Sequence, residues 1–95
     1  VETQSPHILV VEDNATYQSI LEFALSQSGF HVAVEAGAAK ALMAARDRHF
    51  DLVIVDYYLP DYRGPTFVKL LREIDGYADV PVILVTARPE DLNLS

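Results

Sequence analysis

The segment Asp51-Leu52-Val53-Ile54-Val55 constrains the fold of this chain more than any other. It reads as a strand, yet it lacks the polar alternation of a strand with one wet face. Both of its faces must be covered, as in a central strand of a parallel sheet flanked by helices. Ile8-Leu9-Val10-Val11, His31-Val32-Ala33-Val34 and Val80-Pro81-Val82-Ile83-Leu84-Val85 are further short strand-like runs. Pro81 belongs at the start of its strand, where no ladder donor is needed. Helical stripes separate these runs. Tyr17, Ile20, Leu21, Ala24 and Leu25 share one face, with Asp13 or Asn14 as N-cap and Gly29 as the stop. Gly37 opens a second helix striped by Ala38, Ala41, Leu42 and Ala45. Phe67, Leu70, Leu71 and Ile74 stripe a third. The last residues, from Thr86-Ala87-Arg88-Pro89 onward, begin a helix without completing one.

The order β-α-β-α-β-α-β, joined by right-handed crossovers, predicts a doubly wound α/β fold. It has three layers, α/β/α, and a parallel sheet. The 95 residues fit one domain, 1–95, and 51% of them are hydrophobic, enough to bury a core. No apolar run approaches the roughly 18 residues of a membrane span. Val1 to Pro6 lacks the pattern of a signal peptide. The absence of Cys excludes disulfides and thiolate metal sites and suits a reducing compartment. Fourteen acidic against seven basic residues, a net charge of −7, speaks against direct nucleic-acid binding and leaves room for a cation.

In a parallel sheet the strand ends share one edge, and ligands of open α/β sheets bind beyond the carboxyl ends at the switch in strand order. With strand order 2-1-3-4 that switch lies between strands 1 and 3. Glu12 and Asp13 end strand 1, Asp56 ends strand 3 and Thr86 ends strand 4. Three carboxylates in one crevice repel unless a cation neutralises them or one is protonated. All-oxygen donors favour Mg²⁺, Mn²⁺ or Ca²⁺. Taken singly, Glu12-Asp13 reads equally well as a helix cap, and Asp56 as a turn residue; their meeting on one edge favours a site. His7, His31 and His49 fall at the opposite edge, where strand-entry positions are a better account than a zinc site. Tyr57, Tyr58 and Tyr62 cluster in the loop after strand 3, as walls of the acidic crevice or as ordinary loop packing. There is no phosphate-binding G-x-x-x-x-G-K-[ST], no G-x-G-x-x-G after strand 1 and no G-x-S-x-G elbow.

Three features together resemble the receiver domain of two-component response regulators, over about residues 7 to 91. They are the acidic pair Glu12-Asp13, the D-x-x-L-P-x-x-x-G run of Asp56, Leu59, Pro60 and Gly64, and Val85-Thr86-Ala87. The resemblance implies a flavodoxin-like fold and a cytoplasmic signalling switch. It implies Asp56 as phosphoacceptor, with Mg²⁺ held by Glu12, Asp13, Asp56 and the backbone carbonyl of Tyr58. It implies that Thr86 contacts the phosphoryl group, that Ala87 leaves it room, and that Pro60 and Gly64 shape the loop. The donor would be a histidine kinase or a histidine phosphotransfer protein, docking near Tyr17, Gln18 and Leu21. Such a domain catalyses no reaction beyond its own phosphorylation and dephosphorylation.

Two departures from the family stand out. The chain stops after Leu94-Ser95, before a fifth strand and helix of on the order of 25 residues. With them go the family's phosphoryl-contacting Lys and its rotating aromatic. Strand 4 is then expected to be an exposed apolar edge, managed by further chain or by homodimeric or swapped pairing. Second, Tyr58 and Arg88 stand two residues after Asp56 and Thr86. Their bulk is expected to hinder the water that hydrolyses an acyl phosphate. The alternative function is a receiver-like interaction or dimerisation module that is never phosphorylated. A phosphohydrolase of the aspartyl-phosphate type is disfavoured, because Tyr58 stands where such enzymes place a second Asp.

Overall fold

A computed structural model describes residues 5–86. The elements are β1 (His7–Val11), α1 (Ala15–Gln27), β2 (His31–Glu35), α2 (Ala38–Asp47), β3 (Leu52–Asp56), α3 (Gly64–Arg72) and β4 (Val82–Val85). All strand pairs are parallel, in the order β2-β1-β3-β4 expected from the sequence. The register places Val11 opposite Val55, and Asp56 opposite Val85. Ala87 and Arg88 lie outside the described residues, as does the helix expected to begin near them.

The alternation of strand side chains divides the core into two layers. Leu9, Val11, Val53 and Val55 face α2 and α3, where Ala38, Ala41, Leu42 and Ala45 meet Phe67 and Leu71. The alanine stripe of α2 is buried throughout in this layer. Ile8, Val10 and Ile54 face the other way, against Leu21, Leu25 and Val85. Val53, Ile54 and Val55 are all buried, which is why their segment shows no alternation.

The structure departs from the expected stripes in α1 and α3. Leu21 and Leu25 pack on the sheet, whereas Tyr17, Ile20 and Ala24 are exposed. Its apolar face is wider than the strip of sheet the helix covers. In α3, Phe67 and Leu71 are buried, but the helix stops at Arg72, before Ile74. β4 begins at Val82 rather than Val80, and the Pro81 carbonyl accepts from the Val53 N–H at 3.1 Å. Among the described strands β4 is an edge, with Ile83 and Leu84 exposed.

Two loops are held by long-range contacts. The Tyr77 ring is 1% exposed, and its hydroxyl accepts from the Phe50 N–H (3.0 Å) and donates to the Arg48 carbonyl (2.8 Å). Burial pushes the phenol above its ordinary pKa of 10.0. The Arg72 guanidinium donates to the carbonyls of Tyr77 and Val80. The loop from β3 into α3 is drawn tight at Gly64, whose N–H donates to the Tyr57 carbonyl at 2.7 Å. A Cβ there would stand 2.6 Å from Leu84 Cδ2 and 2.9 Å from the Asp56 carbonyl oxygen, so only glycine fits without a shift. Tyr77→Phe is expected to leave the Phe50 N–H and Arg48 carbonyl without that partner, at a cost of about 1–3 kcal/mol. Chemical denaturation measures this, and an unchanged midpoint would show the hydroxyl to be dispensable.

Candidate functional site

The acidic crevice is a product of adjacency. β1 and β3 are neighbours in register, so the residues that follow Val11 and Val55 leave the sheet side by side. The Glu12 N–H still donates to the Glu35 carbonyl (3.0 Å), which prolongs the β1 line and turns its side chain inward. Glu12 is 5% exposed, Asp13 is exposed and Asp56 is half-buried. One carboxylate oxygen from each lies within 4.8 Å of the others. Of the two N-cap candidates, Asn14 caps α1, its Oδ1 accepting from the Tyr17 N–H at 3.0 Å. Asp13 is thereby left for the crevice.

Hydrogen bonds hold the carboxylates in place. Glu12 Oε2 accepts from the Asn14 N–H (3.0 Å), and the Gln18 amide donates to the Glu12 carbonyl. Asp56 Oδ1 accepts from the Tyr58 N–H at 3.3 Å. Burial pushes the Glu12 pKa above its ordinary 4.5; the charges of Asp56 and Asp13 push the same way, against the Asn14 N–H. Three carboxylates this close are relieved either by a cation or by protonation of one of them. The donor set is oxygen throughout, which suits a hard divalent ion.

Thr86 follows β4 and, with Glu12, Tyr17, Ile20, Leu21 and Val85, lines a cleft of about 270 Å³ beside the carboxylates. The Tyr58 ring carries the Arg63 guanidinium 4.4 Å above it and meets the Tyr57 ring at 4.8 Å. Tyr62 lines a groove between α2 and α3 instead of the crevice. The three histidines lie at the opposite edge. His7 and His31 open β1 and β2 and stack at 4.6 Å, while His49 sits 3.8 Å from Asp51.

One residue the sequence did not single out ties this region together. Asp61 accepts from the N–H groups of Ala38 (2.9 Å) and Ala39 (3.0 Å), capping α2 from the loop after β3. These bonds hold its carboxyl below the usual value of 3.8. The available signal was the bare N-cap of α2, Gly37, which has no side chain to offer.

A carboxyl whose folded pKa is raised binds its proton more readily when folded, so it adds stability as pH falls toward its ordinary value and withdraws it as pH rises. At neutral pH ionised Glu12, buried beside Asp56 and Asp13, therefore costs stability. Asp56→Asn is expected to stabilise the metal-free protein at pH 7 by about 1 kcal/mol, or about 4–8 °C. Glu12→Gln is expected to flatten the pH dependence of the midpoint above pH 4.5. A lower midpoint for Asp56→Asn would refute the repulsion.

Comparison with known proteins places this geometry in a family. The response regulator receiver domain profile matches residues 8–94. The transcriptional regulatory protein PrrA of Mycobacterium tuberculosis is 38% identical over 84 residues, covering 88% of this chain and 35% of that protein. The phosphate regulon regulator PhoB of Klebsiella pneumoniae is 36% identical, covering 88% and 37%. The chain thus spans little more than a third of the length of these curated relatives. Among solved structures, the receiver domain of the sensor histidine kinase PA1611 of Pseudomonas aeruginosa, which has magnesium coordinated in its active-site cleft, superposes with a TM-score of 0.84. It is 30% identical, with 88% of this chain and 69% of that one covered. The chemotaxis regulator CheY4 of Vibrio cholerae gives a TM-score of 0.85 at 28% identity, covering 93% and 75%. Profile, relatives and strand order agree: the chain belongs to the response regulator receiver domain family of two-component signalling.

Proposed function

We propose that the domain is a phosphoryl-accepting switch with Asp56 as its acceptor. The observation that carries this is the meeting of Glu12, Asp13 and Asp56 within 4.8 Å at the β1/β3 edge of a receiver domain. An Asp56 carboxylate oxygen attacks the phosphorus of a phosphohistidine; the P–N bond breaks, the imidazole leaves, and an acyl phosphate forms. Glu12, Asp13, Asp56 and the Tyr58 carbonyl would hold Mg²⁺, which when bound neutralises charge on the transferring group. The Tyr58 N–H, on Asp56 Oδ1, keeps the acceptor oriented. The Thr86 hydroxyl, beside the same cleft, donates to a phosphoryl oxygen and reports its arrival.

The donor is a histidine kinase or histidine phosphotransfer protein. It docks on α1 near Tyr17, Gln18 and Leu21, where Gln18 links the helix to the Glu12 backbone. The relative MtrA of Mycobacterium tuberculosis is a DNA-binding response regulator. The acidic domain described here would act on such an output without touching nucleic acid itself. Among the described residues no helix is long and apolar enough to cross a membrane. Membership of the receiver family supports a cytoplasmic location. A second reading, a dimerisation module, draws on the exposed Ile83 and Leu84 of the β4 edge.

Incubation with a small acyl phosphate and Mg²⁺ is expected to add one phosphoryl group to the wild type and none to Asp56→Asn, by intact mass. A tight dimer that gains no mass and ignores Mg²⁺ would favour the second reading. Tyr58→Asn is expected to lose the phosphoryl group faster than wild type, because the ring no longer screens the acyl phosphate from water. Slower loss would show that the ring does not screen it.

A further inference from the structure

The loop that carries the acceptor is closed on itself: Tyr58 and Arg63 form a bridge, and Arg63 covers the Tyr58 ring. Asp61 sits at its tip, where it is exposed to solvent, yet its two carboxylate oxygens reach the first two N–H groups of α2, 23 and 22 residues away in sequence. The helix end is shaped to receive it. Gly37 holds the extended backbone of an N-cap (φ −144°, ψ 164°), which any residue adopts, but provides no cap of its own. A Cβ on Gly37 would stand 3.2 Å from Asp61 Oδ2 and 3.4 Å from Oδ1. The place a local cap would occupy is therefore filled by the carboxylate of another loop. A helix N-terminus with unbonded N–H groups draws a carboxylate strongly, so the tie is directional as well as tight.

We propose that Asp61 is a positioning residue for the acceptor site, and that α2 serves as the fixed post to which the loop Tyr57 to Gly64 is fastened. This rests on the reading of Asp56 as acceptor and the Tyr58 carbonyl as a metal ligand. Fastening the tip restricts rotation of the two peptide units that flank Tyr58, one carrying its carbonyl and the other the N–H that holds Asp56 Oδ1. The competing account is that Leu59, 8% exposed in the core, and the Tyr58–Arg63 bridge fix the loop alone. Asp61 would then be a helix cap and nothing more.

A local cap separates the two accounts. Asp61→Ala removes both the cap and the tie. Adding Gly37→Ser, now free of the carboxylate, returns a cap to α2 but not the tie. Three quantities are read on the 95-residue chain: the thermal midpoint, the Mg²⁺ affinity from amide shifts with the metal alone, and exchange of the Gly64 N–H, which bonds the Tyr57 carbonyl. Asp61→Ala is expected to lower the midpoint, weaken Mg²⁺ about 10-fold and speed Gly64 exchange about 10-fold. The double variant is expected to regain the midpoint while Mg²⁺ binding stays weak and exchange stays fast. Recovery of all three would overturn the proposal, as would wild-type Mg²⁺ binding and exchange in Asp61→Ala. Should Asp61→Ala fail to fold, the same comparison is made with Asp61→Asn, which keeps one acceptor oxygen and is expected to fall between. If the wild type itself binds no Mg²⁺, the acceptor reading fails. Gly64 exchange in the double variant then decides the tie alone: fast supports it, and wild-type exchange overturns it.

Discussion

The parallel pairing of β1 with β3 is the constraint on which the rest of this domain depends. Four register pairs, from Ile8–Leu52 to Val11–Val55, carry two apolar strands to the same edge at the same height. The residues that follow are acidic on both. A shift of one residue would turn Val53 and Val55 out of the layer shared with α2 and α3, and would separate Glu12 from Asp56. Burial of Leu9, Val11, Val53 and Val55 thus holds the carboxylates together against their own repulsion. The core thereby holds a buried acid, Glu12, in a place that resists its ionisation.

What was legible in the sequence was whatever depends on local period. The alanine stripe of α2 reads correctly, because Ala38, Ala41, Leu42 and Ala45 all face the sheet. The unalternated run of β3 reads correctly for the same reason. The acidic edge followed from strand order together with the family resemblance. The stripe of α1 was misleading in part: period tells which residues share a face, but not how much of that face a neighbour covers. Tyr17, Ile20 and Ala24 lie beyond the strip of sheet that Leu21 and Leu25 reach.

Contacts between distant residues were invisible for a different reason. Tyr77 satisfies the Phe50 N–H across 27 positions, and Asp61 caps α2 across 23. Neither residue carries a local pattern, since a tyrosine after a glycine and an aspartate after a proline are ordinary loop chemistry. Their meaning lies in the partner: a bare Gly37 and an otherwise unsatisfied buried N–H. An unfilled local requirement in one element is thus a pointer to a long-range donor or acceptor elsewhere. It can be sought in sequence, though its partner cannot be named there.

The same logic accounts for how Glu12 tolerates its position. A buried carboxyl needs compensation, and here its carboxylate takes the Asn14 N–H, while the Gln18 amide separately satisfies the Glu12 backbone carbonyl. Both donors belong to the start of α1, whose own cap is the side chain of Asn14. One short segment therefore ends a strand, starts a helix and holds a buried acid. That compensation is incomplete, because the pKa of Glu12 remains raised by burial and by its acidic neighbours. An acid held in place yet kept from easy ionisation needs both halves of that balance. Asn14 supplies the first, and burial, with Asp56 and Asp13 beside it, the second.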